Sequence, residues 1–170
     1  MSLEKFIRDI PDFPKQGILF RDITTLLNNP TAFKKVINEM AKMLKGKKID
    51  YIVAAESRGF IFGGALAYKL GCGFVPVRKP GKLPYKTYKA SYALEYGEDS
   101  LEIHQDAVKP GSNVLVLDDL LATGGTALAM ATLVKKLKAK VSGIAFLIEL
   151  TALKGKAKLK NYPVYSLIKY

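Results

Sequence analysis

The chain has 170 residues, one cysteine and a formal net charge of +12 at pH 7. A single cysteine excludes an internal disulfide framework and a cysteine-rich metal site, and no run reaches the ~20 apolar residues that span a bilayer, so we expect a cytoplasmic protein without a membrane partner. The positive charge would suit nucleic acid, but the lysines are spread over several predicted helices, a loop and the tail, so nucleic-acid binding is not expected.

Strand and helix patterns alternate along the chain. They predict a helix from Pro30, a strand at 51–55, a helix over 59–70, strands at 74–77 and 114–117, a helix to about 138, a strand within 141–150, a short lysine-rich helix and a last strand near 164–168. The segment 59–70 is apolar nearly all round, so burial on every side is expected. With no repeat and no linker, the alternation predicts one α/β domain over 1–170 with a largely parallel central sheet flanked by helices.

The segment 79–100 has no clear period. A connection this long inside a compact domain is usually functional, and we predict a flexible lid loop. Its first part, RKPGKLPYKTYKA, carries five cations and no acid: Arg78, Lys79, Lys82, Lys86 and Lys89. A solvated charge run is the common alternative, although the prolines and glycine give this loop a defined shape.

The string VLVLDDLLATGGTA, residues 114–127, joins an apolar strand to two acids and a glycine turn. The strand is predicted to end at Asp118. The turn offers hydroxyls and unhindered N–H groups before a helix, which favours a phosphate. A phosphate site alone needs no carboxylates, so a ligand with both a phosphate and hydroxyls is indicated. The alternative is an ordinary strand–helix connection in which Asp118 and Asp119 are caps.

A second candidate turn, AAESRGF, spans residues 54–60. It would place the Ser57 hydroxyl, the Arg58 cation and a small glycine at the carboxyl edge of the sheet, where open α/β sheets bind ligands. A capped helix start is the alternative interpretation.

The apolar strand, acid pair and T-G-G-T turn together resemble the phosphoribosyltransferases of the type I fold. The resemblance implies that fold, with a small N-terminal hood at about 1–30 and a lid at about 79–100. It implies that Asp118 and Asp119 face the ribose hydroxyls of 5-phosphoribosyl 1-pyrophosphate, with a cis peptide at Glu56–Ser57. The 5-phosphate would be held by Ala122, Thr123, Gly124, Gly125 and Thr126, and the pyrophosphate by Ser57, Arg58, Arg78, Lys79 and Lys82.

Further stretches extend the resemblance over essentially the whole chain, to the branch of this family that uses adenine. They are PDFPKQGILFRDIT (11–24), ESRGFIFG (56–63), RKPGKLPYKT (78–87) and YALEYGEDSLEIHQDAV (92–108). The resemblance implies formation of AMP and pyrophosphate from adenine and 5-phosphoribosyl 1-pyrophosphate by a homodimer. Mg²⁺ would be the cofactor, carried by the pyrophosphate with no direct protein ligand.

The same resemblance assigns the base site. Phe20 and Leu120 would sandwich adenine, and the backbone of Leu19 and Arg21 would read its edge. On the lid, Glu95 would be catalytic and Tyr96 would close over the site. One departure is Thr25, where proline is expected after RDIT.

Some proteins of this fold are instead regulators that bind nucleic acid, and only the net charge favours that alternative here. The lid glutamate Glu95 and the basic loop favour an enzyme. The only histidine, His104, is expected to have a structural or surface role, and Cys72, between two glycines, is expected to be a small buried residue.

Overall fold

Continuous apolar runs form the strands of a central sheet in the computed structural model, which describes residues 2–94 and 96–170. The strands are β1 (Arg8–Ile10), β2 (Phe20–Asp22), β3 (Tyr51–Ala55), β4 (Gly73–Val77), β5 (Thr87–Ala93), β6 (Glu98–His104), β7 (Asn113–Leu121), β8 (Lys140–Glu149) and β9 (Val164–Lys169). The α-helices are α1 (Thr24–Leu27), α2 (Pro30–Met43), α3 (Arg58–Leu70) and α4 (Gly125–Lys136), and short 3-10 turns lie at Glu4–Phe6, Thr151–Leu153 and Gly155–Leu159.

The central sheet has five parallel strands in the order β4-β3-β7-β8-β9. Side chains alternate along each strand, so each strand feeds two apolar layers. Val53 and Val116 pack on the side of α4 and the β5–β6 hairpin, whereas Ile52 and Leu115 pack on the side of α2 and α3. The predicted α/β fold with a largely parallel sheet flanked by helices is confirmed.

Strand β7 runs further than predicted. It continues through Asp118 and Asp119, because the strand stays paired with β8 up to Leu120 opposite Ile148 and Leu121 opposite Glu149. The prediction that the strand ends at Asp118 is therefore wrong. The two acids belong to the sheet itself and not to the loop behind it, which fixes their backbone far more firmly than a loop would.

The segment 79–100 is more regular than predicted. Strands β5 and β6 form an antiparallel hairpin in which Thr87 lies opposite His104 and Ala93 lies opposite Glu98. The predicted absence of regular structure is wrong over these strands. Tyr88, Ala90 and Tyr92 of β5 and Leu101 and Ile103 of β6 do alternate and pack against the core, but each apolar series is only two or three positions long.

Helix α3 is buried on one side only. Phe62 and Leu66 are fully buried, whereas Ile61 is 42% exposed and Tyr68 is 92% exposed. The prediction of burial on every side is wrong, since an apolar sequence does not by itself show how many neighbours a helix has. The lysine-rich segment predicted as a helix is the 3-10 turn Gly155–Leu159. Among the described residues, no helix combines the length and the apolar character needed to cross a membrane.

The N-terminal region forms a small sheet of β1 and β2. Thr25 stands where proline was expected, and its hydroxyl donates a 2.6 Å hydrogen bond to the Phe6 carbonyl. Proline could not make that bond, so threonine here ties α1 to the first turn of the chain.

Asp22 ties the two strands of this small sheet to α1. Its carboxylate accepts from the Thr24 N–H and hydroxyl and pairs with Arg8 at 2.6 Å. These contacts, the Thr24 N–H foremost, lower the pKa of Asp22 to about 2. Because the folded pKa lies below the unfolded value of about 3.9, the stabilisation is complete above pH 4 and is lost as the pH falls towards 2.

We therefore expect Asp22→Asn to lower the free energy of unfolding by about 1–2 kcal/mol at pH 7 and by much less near pH 2, where the folded carboxylate becomes protonated. Urea denaturation at both pH values measures this difference. The exposed Asp106→Asn serves as the control and should change neither value. An Asp22→Asn loss of the same size at both pH values would show that ionisation of Asp22 does not contribute.

Candidate functional site

Three neighbouring strands deliver the candidate residues to one edge of the sheet. Strand β3 ends before Glu56 and Ser57, β4 ends before Arg78, and β7 ends before the loop 122–124 that leads into α4. Since all three strands are parallel, their carboxyl ends meet at the same edge, where open α/β sheets bind ligands. The predicted turns, which are far apart in sequence, therefore lie side by side.

A cleft of about 380 Å³ lies between these turns. Its lining includes Ser57, Arg58, Lys79, Asp118, Asp119 and Thr126. The Glu56–Ser57 peptide is cis, as predicted. Ser57 precedes α3, but its hydroxyl makes no capping hydrogen bond, so the alternative of a simple capped turn is not supported.

The two aspartates of β7 have different surroundings. Oδ1 of the half-buried Asp118 accepts the Asp119 N–H at 2.9 Å, and Oδ2 of the buried Asp119 lies 2.7 Å from Nε of Arg58. Burial, together with the neighbouring Asp119 carboxyl, raises the pKa of Asp118 well above its usual range. Asp118 therefore resists ionisation beside Asp119. Neither acid caps a helix, which removes the alternative interpretation of the pair.

Glu56 organises the basic loop. Its carboxylate accepts the Lys79 N–H at 2.7 Å, lies 3.0 Å from Nζ of Lys82 and lies 3.3 Å from Nη2 of Arg78. Burial opposes ionisation, but these donors outweigh it and lower the pKa of Glu56. Three of the five predicted pyrophosphate residues, Arg78, Lys79 and Lys82, thus gather around an acid that sequence reasoning missed. Of the five, Ser57, Arg58 and Lys79 line the central cleft, whereas Arg78 and Lys82 do not.

Lys79 has a second acidic partner. Its ammonium group contacts Asp99 of β6 and lies 3.3 Å from the Tyr92 hydroxyl of β5. Burial alone would lower the pKa of Lys79, but Asp99 and Tyr92 raise it. The hairpin is therefore connected to the basic loop by a charge pair. Asp99 and Tyr92 were also missed, because no local pattern links them to Lys79.

The four predicted base-site residues line a second cavity of about 100 Å³. They are Leu19, Phe20, Arg21 and Leu120. Arg58 and Asp119 line both this cavity and the central cleft, and the Arg58 guanidinium carbon lies 5.6 Å from the centre of the Phe20 ring. The walls are mainly apolar, as a flat heteroaromatic ring requires.

The predicted phosphate loop lines a third, small cavity of about 70 Å³ with its five residues Ala122, Thr123, Gly124, Gly125 and Thr126. Gly124 has a φ of +86° immediately before α4 begins, a conformation that favours glycine. The loop N–H groups and the start of a 12-residue helix lie together here, which is an arrangement suited to a phosphate.

The lid residues are only partly described. Glu95 lies outside the described residues, and Tyr96 is 86% exposed. His104 accepts the Tyr85 N–H at 3.3 Å, which agrees with a structural role, and Cys72 is half-buried with a pKa raised by burial. Within residues 2–94 and 96–170, no group of three or more His, Cys, Asp or Glu side chains is placed to hold a metal ion.

Comparison with known proteins gives one consistent result. Residues 22–169 match the phosphoribosyl transferase domain family. The adenine phosphoribosyltransferase of Brachyspira hyodysenteriae is 61% identical over 170 residues, with full coverage of both chains. The crystal structure of the Thermoanaerobacter pseudethanolicus adenine phosphoribosyltransferase matches with a TM-score of 0.97 and 57% identity, covering 99% of this chain and 100% of that one. The Saccharomyces cerevisiae enzyme, complexed with an imino-altritol bisphosphate and adenine, matches with a TM-score of 0.92 and 47% identity, covering 97% and 96%.

Proposed function

This chain belongs to the adenine phosphoribosyltransferase family, and we propose that the three adjoining cavities are where it transfers the 5-phosphoribosyl group from 5-phosphoribosyl 1-pyrophosphate to N9 of adenine. The products are AMP and pyrophosphate, and the reaction salvages adenine. One observation carries the assignment of the site. The central cleft shares Arg58 and Asp119 with the base cavity and Thr126 with the phosphate-loop cavity, so a nucleotide with its ribose in the cleft could reach one cavity with its base and the other with its phosphate.

Negative charge on the leaving pyrophosphate is the main charge that the site must stabilise. Bond breaking at the anomeric carbon leaves positive charge on the ribose while negative charge develops on the pyrophosphate. Preorganised cations at that point stabilise the transition state more than the ground state. Arg58, Lys79 and Lys82 are the groups we assign to this task, with Arg78 and Ser57 beside them.

These cations have acidic partners within the protein. Arg58 pairs with Asp119, Lys79 with Asp99 and Lys82 with Glu56. A bound pyrophosphate would take over part of this neutralisation, which would release Asp119 to accept the ribose hydroxyls. Acids of the protein thus neutralise much of the positive charge around the cleft.

Mg²⁺ is the cofactor we propose. This ion prefers oxygen ligands in octahedral geometry and usually retains substrate phosphates and waters. Asp118 and Asp119 offer carboxylate oxygens beside the cleft, whereas the described residues provide no group of three acidic or histidine ligands. This donor set fits an ion that is carried mainly by pyrophosphate and ribose oxygens, and its charge would further neutralise the leaving group.

The exposed apolar side of α3 supports a homodimer. Ile61 and Tyr68 are exposed and lie two turns apart on one face, and Gly64 between them leaves open space. A second copy of this chain is the partner we propose, within a cytoplasmic compartment that suits a free cysteine. Sedimentation equilibrium should give twice the chain mass, and Tyr68→Glu should shift the protein towards the monomer.

Product analysis tests the activity directly. Adenine, 5-phosphoribosyl 1-pyrophosphate and Mg²⁺ should yield AMP and pyrophosphate in equal amounts. Asp119→Asn should raise the KM for the phosphoribosyl donor about 10- to 100-fold, because it removes a buried charged acceptor for the ribose. The exposed Asp106→Asn is the control and should match the unaltered protein. Release of pyrophosphate without AMP would contradict the proposed reaction.

A further inference from the structure

The phosphate loop, residues 122–126, packs against the segment around Gly155, about thirty residues later in the chain. A Cβ added to Gly124 would lie 2.6 Å from the Gly155 carbonyl oxygen, and a Cβ added to Gly155 would lie 2.4 Å from the Ala122 carbonyl oxygen. The backbones of the two segments therefore approach each other closely, beside the Leu121 side chain. Any movement of Gly155 would be transmitted directly to Ala122 and Gly124.

Gly155 is followed by Lys156, which is paired with a buried acid. Nζ of Lys156 lies 3.1 Å from Oε2 of Glu149, whose side chain is 8% exposed. Glu149 is the last residue of β8 and lies opposite Leu121, the last residue of β7 before the phosphate loop. The contact is an ion pair and not an aligned hydrogen bond. At the far end of the turn, Leu159 is fully buried in the core.

Glu149 is an acid that the proposed reaction does not use. Among the described residues, the buried charged side chains are Asp22, Asp119 and Glu149, and the first two have roles above. Burial alone would raise the pKa of Glu149, but the Ser166 hydroxyl and the Lys156 ammonium lower it below the ordinary value. An ionised, buried carboxylate is costly unless it is paired, so the pairing ties Lys156 to the edge of the sheet.

We propose that Glu149 is a positioning residue for the 5-phosphate: through Lys156 it holds Gly155 against Ala122 and Gly124 and so sets the shape of the phosphate loop. This inference rests on the proposed function, since it assigns the loop to a 5-phosphate group. A loop that binds through backbone N–H groups needs its geometry fixed before the ligand arrives.

The role has a selective consequence. AMP and 5-phosphoribosyl 1-pyrophosphate carry a 5-phosphate, whereas free pyrophosphate does not. Pyrophosphate is assigned to Arg58, Lys79 and Lys82. The central cleft, which Arg58 and Lys79 line, is not lined by Gly155 or Lys156. Loss of the Glu149 pairing should therefore weaken the first two ligands and spare the third.

The test compares Glu149→Gln and Lys156→Met with the unaltered protein, using calorimetric titration with AMP and with Mg²⁺-pyrophosphate. We expect AMP to bind about 10-fold more weakly in both variants, while pyrophosphate affinity changes less than about 2-fold. The KM for the phosphoribosyl donor should rise, and kcat at saturation should stay within about 2-fold. The double variant should bind AMP with the same affinity as the more impaired of the two single variants, because both substitutions break the same ion pair.

Lys160→Met is the matched control, since Lys160 is an exposed lysine of the same segment; it should bind both ligands normally. Lys156 is half-exposed, so its variant remains informative if Glu149→Gln folds poorly. Normal AMP binding by Lys156→Met, or an equal loss of AMP and pyrophosphate binding, would overturn the positioning role alone. An unaltered protein that binds neither ligand would overturn the proposed function as well.

Discussion

Guanine and hypoxanthine are expected to react with kcat/KM values ~10⁴-fold below that of adenine. Adenine presents an amino donor at position 6 and an acceptor at N1, whereas the other two bases present an acceptor and a donor at the same atoms. A site that pairs one edge correctly leaves buried groups unpaired on the other, and each such group costs about 1–3 kcal/mol or more. Two reversed contacts account for the expected ratio.

The backbone of residues 19–21 is placed to recognise that edge of the base. Among the described strands, β2 pairs only with β1, so the backbone groups on its other side are available to a ligand. Leu19, Phe20 and Arg21 line the base cavity, and backbone groups two residues apart in an extended segment point the same way. The apolar faces of Phe20 and Leu120 cannot distinguish the bases, so discrimination must come from the backbone.

Initial rates with each base, at saturating donor and Mg²⁺, give the ratio. Phe20→Leu is an informative control, because it should lower kcat/KM for all three bases while leaving their ratio within about 5-fold. Guanine turnover within 10-fold of adenine turnover would exclude backbone reading of the base by this segment.

The sequence predicted those parts of the site that are determined locally. The continuous apolar runs of β3 and β7 predicted buried strands, because a parallel strand is covered on both faces. Ser57, Arg58 and the loop 122–126 follow such strands directly, and parallel pairing alone brings them to one edge. Their placement needed only the prediction of a parallel sheet and no knowledge of individual side-chain contacts.

Other parts depend on partners far away in the chain. Glu56 pairs with Lys82, which lies 26 residues away in the chain, and Asp99 pairs with Lys79, which lies 20 residues away. No local spacing therefore identifies either acid as part of the site. The role of Gly155 could not be predicted from the sequence either, because its lack of a side chain matters only at its contact with the phosphate loop. Strand β7 was predicted too short for the same reason. Its pairing with the distant strand β8 continues through Asp118 and Asp119, whereas the loss of local hydrophobicity at these two acids predicted the end of the strand.

Glu95 is the residue for which we expect the largest loss of kcat. Adenine attacks through N9, and the product carries no proton there, so a group near N7 or N9 must manage that proton while the ring gains charge. The family resemblance assigns this task to Glu95, which lies between β5 and β6 in the sequence. General acid–base assistance contributes ~10²–10⁴ in rate. If Glu95 instead formed an exposed pair, for example with Lys89, its loss would cost only about 0–1 kcal/mol.

Two substitutions distinguish the ways in which Glu95 could act. Glu95→Gln keeps the size and the hydrogen-bonding reach but removes the carboxylate, and Glu95→Leu removes both. A general base predicts that both variants lose ~10²–10⁴ in kcat with the KM for the donor nearly unchanged. A hydrogen bond to the transition state predicts that Glu95→Gln keeps substantial activity and Glu95→Leu does not. Glu98→Gln, which alters an exposed acid of the same hairpin, should retain normal activity. Single-turnover measurements isolate the chemical step from product release, and a near-normal rate for Glu95→Leu under those conditions would exclude both roles, because neither a base nor a hydrogen-bonding group would then remain at that position.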